Sequence, residues 1–124
     1  MTGQDVYKKA MGILDELETD GTISSNTDDA YEYRVIELID SLQRDLAKIE
    51  GIEPNAITSL STELKISDYT ASMVLPYGVA AHLALTDQLD TLFAVFNSKY
   101  ERGLNKIRTR FEDYVDDMNV MSGF

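Results

Sequence analysis

The amino-acid sequence predicts an all-α protein, a small four-helix bundle with a long loop between its second and third helices and a flexible C-terminal tail. Apolar residues recur at helical spacing in four segments, which indicates amphipathic helices. The stretch between the second and third segments lacks that spacing and is rich in Ser and Thr. The 124 residues suffice for one domain, with a core at about residues 4–115 and a tail at 116–124.

The first helix is predicted from Gln4 to Glu18, because Asp20-Gly21 is a stop signal. One of its faces is apolar and comprises Val6, Ala10, Ile13, Leu14 and Leu17. The second helix is predicted from about Asp28 to Gly51, with carboxylates near its start and cations near its end, as the helix dipole favours. Its apolar stripe comprises Tyr31, Val35, Leu38, Ile39, Leu42, Leu46 and Ile49.

The third helix, Asp68 to Leu85, is apolar on nearly every side, which predicts that it is central and buried. Pro76 must kink this helix or lie near its true start, because proline removes a backbone donor and clashes with the preceding turn. Small residues in the helix allow a neighbouring helix to approach closely; they are Gly78, Ala80, Ala81 and Ala84.

The fourth helix is predicted to begin with Thr86 or Asp87 as its cap and to run to Val115. Its apolar face comprises Leu89, Leu92, Phe93, Phe96, Tyr100, Leu104, Ile107, Phe111 and Val115. A second face carries a basic stripe of Lys99, Arg102, Lys106 and Arg110. This stripe is either a solvated face, with or without pairing to the chain's own carboxylates, or half of a subunit interface whose other half is the acidic start of the second helix.

The connection at residues 51–67 is long for a compact domain, and such connections are often functional. It carries four apolar residues, Ile57, Leu60, Leu64 and Ile66. One interpretation is a loop folded over the chain's own core. The other is a contact with a partner surface, in which the loop's backbone pairs with the partner as an added strand and orders on assembly.

The charge balance excludes several functional classes. The chain has 11 basic and 22 acidic residues, a net charge of −11, which disfavours binding to nucleic acid and to anionic membranes. No apolar run approaches the length of a membrane span, and Met1-Thr2-Gly3-Gln4-Asp5 does not resemble a signal peptide. Cysteine is absent, which removes thiolate chemistry and cysteine-ligated metals and suits a reducing cytoplasm.

No pattern predicts catalysis, a cofactor or a metal. His82 is the single histidine and lies mid-helix among Ala and Leu, where a core or interface position is more common than a catalytic one. The acidic pairs Asp28-Asp29 and Asp116-Asp117 do not have the spacing of a calcium loop. We therefore expect a protein that is not an enzyme.

One stretch resembles the head–tail connector (adaptor, or neck) proteins of tailed bacteriophages and prophages. In that family a Leu-Pro-Tyr-Gly-(apolar)-Ala-Ala helix precedes a helix that ends in Phe-Asn-x-(Lys/Arg)-Tyr-Glu. The matching residues here are 75–81 and Phe96-Asn97-Ser98-Lys99-Tyr100-Glu101, and residues 57–64 resemble the loop before the first of these helices. The resemblance covers about residues 50–110. The chain departs from it at Thr86-Asp87-Gln88, where many members have a proline.

The resemblance implies a structural virion protein, made in the host cytoplasm, that assembles as a ring of about a dozen copies at the head–tail junction. The ring would sit between the portal protein and tail or stopper proteins, and DNA would pass through it without specific binding. An acidic wall suits this role because it repels phosphates. The alternative function is an acidic adaptor, DNA mimic or inhibitor that binds a basic partner, which the net charge alone supports.

Overall fold

The computed structural model describes residues 1–14 and 29–121, and for residues 29, 31 and 110–121 it describes the backbone alone. The described chain forms five helices: α1 (Gly3–Ile13), α2 (Asp29–Glu50), α3 (Asp68–Met73), α4 (Leu75–Thr86) and α5 (Asp90–Met121). No strand forms within these residues, and the one bridge joins Thr2 to Glu63. The predicted all-α class is confirmed, as is the non-helical connection before α3.

The centre of the fold is α4, which contacts all four other helices. Its buried residues lie on nearly every side of the helix; they are Leu75, Pro76, Gly78, Val79, Ala80, Ala81, Leu83 and Ala84. This confirms the prediction of a central third helix. That predicted helix is in fact two, divided at Val74, with Pro76 in the first turn of α4, where its missing N–H removes no helical hydrogen bond.

The first helix begins with a capping box that the sequence analysis did not predict. The Thr2 hydroxyl accepts from the Asp5 amide at 3.3 Å, and the Asp5 carboxylate accepts from the Thr2 amide at 2.9 Å. The hydrogen bond from the Thr2 backbone lowers the pKa of Asp5. The predicted continuation of this helix to Glu18, including Leu17, lies outside the described residues, as does the predicted start of α2 at Asp28.

The turn between α4 and α5 differs from its prediction. Thr86 is the last residue of α4 rather than the cap of α5, and Gln88 adopts a left-handed conformation with φ of 62°. The Gln88 amide donates to Leu85 O, and the Leu89 amide donates to Ala84 O. This is the Schellman arrangement that also ends α2, where Gly51 supplies the left-handed residue. The helix α5 therefore starts two or three residues later than predicted, at Asp90.

The buried face of α5 is correctly predicted at Phe96, Tyr100, Leu104 and Ile107. Leu89 and Leu92 are exposed, so their assignment to that face was wrong. Phe111 and Val115 belong to the part of α5 described by its backbone alone. The helix continues to Met121, past the predicted end at Val115, and residues 122–124 of the predicted tail lie outside the described chain.

The two helices α4 and α5 approach each other closely at Gly78. A Cβ atom at this position would lie 2.7 Å from Cε1 of the Tyr100 ring, nearer than such atoms pack. The ring cannot easily yield, because Tyr100 is itself buried, and this burial raises the pKa of its phenol to about 12. The predicted close approach of a neighbouring helix is thus confirmed at the glycine of the Leu-Pro-Tyr-Gly motif.

Replacing Ala81 by Asp tests the burial of α4. We expect Ala81→Asp to lower the free energy of unfolding by about 3–5 kcal/mol, because it places an unpaired charge in the core. Ala94→Asp is the matched control, since Ala94 is exposed on α5. Urea denaturation of both variants measures the difference. A variant at Ala81 as stable as that control would contradict the central position of α4.

Gly78→Ala tests the contact between α4 and α5. The steric clash with Tyr100 exceeds the gain in helix propensity, so we expect a net loss of about 1–2 kcal/mol. The loss should disappear in a Tyr100→Leu background, which a double-mutant cycle by thermal or urea unfolding would reveal. Ser98→Ala, on the exposed side of α5, serves as the propensity control. An unchanged loss without the ring would assign the effect to another neighbour.

Candidate functional site

The predicted basic stripe lies on the solvent-exposed side of α5. Lys99, Arg102 and Lys106 are all exposed, and their spacing of three and four residues places them along one side of the helix. The side chain of Arg110, the fourth predicted member, is not among those that the structure describes. The prediction that these cations share a surface is therefore confirmed for three of the four.

These three cations are not neutralised within the described part of the subunit. None of them forms an ion pair with another described side chain, whereas Arg44 on α2 pairs with Asp40 at 3.1 Å. The Lys99 ammonium lies 5.3 Å from the centre of the Tyr77 ring, a cation–π contact that leaves its charge uncompensated. Within the described residues, the three cations are therefore not paired with the chain's own carboxylates.

Apolar side chains extend the stripe toward the start of α5. Leu92 is 39% exposed and Val95 is 45% exposed, and both continue the spacing of the three cations. We call the set Leu92, Val95, Lys99, Arg102 and Lys106 the α5 surface. The sequence analysis missed its apolar part because Leu92 adjoins Phe93, which packs against the core. The positions 92, 95, 99, 102 and 106 form a second helical stripe, and that spacing is the signal that could have revealed it.

The predicted contact residues of the 51–67 loop lie mainly in the subunit's own core. Ile57, Leu64 and Ile66 are buried, and Leu60 is half-buried against the same cluster. This burial favours the alternative that the sequence left open, a loop folded over the chain's own core, and the interface role of these four side chains stays a prediction. A partner could contact the three buried ones only if the loop left the core.

Three side chains on α2 hold the loop in place. Each one bonds to the loop's backbone: Asp40 Oδ1 accepts from the Ile57 amide at 2.9 Å, Gln43 Nε2 donates to Asn55 O at 3.0 Å, and Glu50 Oε1 accepts from the Ser67 amide at 3.0 Å. Gln43 is fully buried, so its bond satisfies a carbonyl that solvent does not reach from that side. The loop is thereby fixed to α2 at residues 55, 57 and 67.

The N-terminal residues hold the other side of the loop. Gly3 and Gln4 donate their amides to Thr62 O and Leu60 O at 3.2 and 2.7 Å, and the Leu64 amide donates to Met1 O at 2.9 Å. The loop thus satisfies amides that the first turn of α1 leaves free. The backbone pairing predicted with a partner is made instead, at these positions, within the chain. The Met1 ammonium lies 3.3 Å from Glu63, whose hydrogen bond raises the pKa of that amino group.

No group of metal-ligating side chains occurs among the described residues. His82 is exposed, so it is not a core residue of the subunit, and the other predicted possibility, an interface position, stays a prediction. The carboxylates of Asp28-Asp29 and Asp116-Asp117 fall outside the described side chains. Within the described ranges, no helix combines the length and the apolar character needed to cross a membrane. The α5 surface, with its exposed apolar side chains and unpaired cations, is therefore our candidate functional site in this part of the chain.

Comparisons of the chain with protein-family models, with curated proteins and with solved structures find no match.

Leu64→Ser tests whether the loop belongs to the core of the subunit. We expect the variant to lose about 2–4 kcal/mol of unfolding free energy, because it removes a buried apolar side chain and introduces a hydroxyl. Lys65→Ser, at the exposed neighbouring position, should change stability little. Chemical denaturation at a concentration where the protein is monomeric makes the comparison. Equal stability of the two variants would return Leu64 to the role of a partner contact.

Proposed function

We propose that the protein is a structural subunit of a ring at the head–tail junction of a tailed bacteriophage or prophage. The ring would extend the DNA channel of the portal protein and provide a docking surface for tail or stopper proteins. The observation that carries the assembly part of this proposal is the α5 surface, a stripe of unpaired cations and exposed apolar side chains on a chain of net charge −11. The phage context is supported by the resemblance of residues 50–110 to connector proteins.

Assembly would relieve two unfavourable features of the isolated subunit. Leu92 and Val95 are exposed to solvent, and burying them against another protein removes apolar area from water. The cations of α5 would meet carboxylates that the acidic chain has in excess. A contact between two different patches of identical copies is heterologous, and heterologous contacts close into rings when the rotation permits.

The charge of the chain suits a channel better than a DNA-binding protein. Three exposed cations along one helix are too few to outweigh the net charge of −11 in attracting phosphates at a distance. If those cations are covered at the subunit contacts, the remaining surface of the ring is still more acidic. DNA would then pass without adhering to the wall.

The alternative, an acidic adaptor or DNA mimic that binds a basic partner, rests on the net charge. It gives no role to the α5 surface, whose charge has the opposite sign to that of the chain. It also differs in its expected behaviour, because such a protein would be a monomer or dimer that binds polylysine in a strongly salt-dependent way.

Negative-stain microscopy and native mass spectrometry of the purified chain test the proposal. We expect closed rings of about a dozen copies for the unmodified chain. In Arg102→Glu/Lys106→Glu, the concentration required for assembly should rise about tenfold or more, because attraction becomes repulsion. Helix content should not change, since both side chains are exposed.

Lys9→Glu/Lys65→Glu is the matched control, because it makes the same change in net charge at exposed positions away from α5. Rings should form normally in this variant. Normal rings in the α5 variant would make the basic stripe a solvated face only. A monomeric or dimeric chain that binds polylysine at low salt would favour the acidic adaptor instead.

A further inference from the structure

We propose that the α5 surface of one copy packs against the outward face of the first half of α2 on a second copy. This inference rests on the proposed ring function and names the two surfaces that would form its repeated contact. The outward face of α2 is defined here by Tyr33 and Glu37, which are both exposed. Glu32, seven residues before the buried Ile39, lies on the side of the helix that faces the core farther along, but it is exposed near the start of α2.

The face on α2 supplies the negative charges that the α5 surface lacks. Tyr33 has the largest exposed fraction, 65%, among the exposed large hydrophobic side chains that the structure describes. Glu32 and Glu37 flank it, and neither forms an ion pair with another described residue. Of the cations on this helix, Arg44 is paired with Asp40, Arg34 is engaged in an interaction of its own, and Lys48 lies in the last turn, far from this face.

The two surfaces match in kind. Each combines exposed apolar side chains with unpaired charges one helical turn away: Tyr33 with Glu37 on α2, and Val95 with Lys99 on α5. Packing them together would bury apolar area at the centre and bring carboxylates to ammonium and guanidinium groups at the edge. That is the usual composition of a protein interface, in which the apolar centre supplies affinity and the charges supply register.

The contact cannot form within one subunit. Glu37 lies two residues from both Val35 and Ile39, which are buried, and two helical positions correspond to a rotation of about 200°. Glu37 therefore points away from the core, and the same relation holds between Tyr33 and Val35. Since α2 packs on α4 and α5 through its buried side, its outward face does not reach the α5 surface of its own chain. Only another copy can supply the partner.

Cysteine cross-linking tests the contact directly, because the chain has no cysteine of its own. We expect a mixture of Glu37→Cys and Arg102→Cys to give cross-linked dimers with a bismaleimide that spans about one helical turn. Each variant alone should give none, because the contact joins two different patches. A chain with both substitutions should give a ladder of oligomers. Lys9→Cys mixed with Arg102→Cys is the control and should stay uncross-linked.

Charge exchange tests the same contact through assembly. Glu32→Lys/Glu37→Lys should lose assembly alone, as should Arg102→Glu/Lys106→Glu. A mixture of the two variants should regain it, because one variant then carries two basic patches and the other two acidic patches, so that alternating copies attract each other. Rings that survive Glu32→Lys/Glu37→Lys would overturn this contact while leaving the ring function in place.

The cross-link separates the two proposals in the opposite case. If the unmodified chain forms only small oligomers but the mixed cysteine variants still cross-link, the contact holds and the ring function fails. Homodimers of either single-cysteine variant would indicate a symmetric contact and overturn the proposal. No cross-link in particles that microscopy shows to be rings would overturn it as well.

Discussion

The fold depends on one constraint, the need to cover α4 on all sides. Because this helix is apolar around most of its circumference, no single neighbour can bury it, and the other four helices all contact it. The small residues of α4 determine how closely the other helices approach it, as the contact of Gly78 with the Tyr100 ring illustrates. The long connection also contributes, since Ile57, Leu64 and Ile66 complete the same core. A 124-residue chain without disulfides thereby obtains one continuous apolar interior.

The completeness of this interior determines where function can lie. The loop at 51–67 is bound on one side by polar side chains of α2 and on the other by the N-terminal backbone, so it closes the subunit rather than offering an apolar arm. Exposed apolar side chains remain outside this interior, at Leu92 and Val95 on α5, at Tyr33 on α2, and at Tyr69, Met73 and Leu85 on α3 and α4. The basic and apolar stripe on this acidic chain is the observation on which the proposed contact between copies rests.

The sequence predicted the parts of the fold that depend on local pattern. Helical periodicity located α2 almost to the residue, and the all-round apolar character of α4 indicated its central position. Periodicity did not distinguish two neighbouring apolar stripes on α5. Leu92 was therefore predicted on the buried face together with Phe93, although Leu92 is exposed and only Phe93 is half-buried against the core. The division at Val74 was foreseen only as a kink or a start at Pro76. The left-handed Gln88 carries no sequence signal, because glycine usually occupies that position.

The sequence predicted the cations of the α5 surface but not its apolar side chains. Charge and spacing sufficed for Lys99, Arg102 and Lys106, since exposed cations at helical spacing need no tertiary information. The loop could not be settled in that way, because its fixation depends on contacts distant in sequence, such as Asp40 with the Ile57 amide and Leu64 with Met1. An apolar residue in a loop gives the same sequence pattern whether its side chain packs on the core of its own subunit or on a partner protein.

The central claim is that the subunit completes its core with this loop before any assembly. Amide hydrogen exchange of the dilute, monomeric chain tests it most directly, with the amides of Gln4, Ile57 and Leu64 as reporters, since each is hydrogen-bonded across the loop. We expect these amides to exchange slowly, at rates near those of the α4 amides. Fast exchange in the monomer, with protection gained only on assembly, would contradict the claim and make the loop a partner contact.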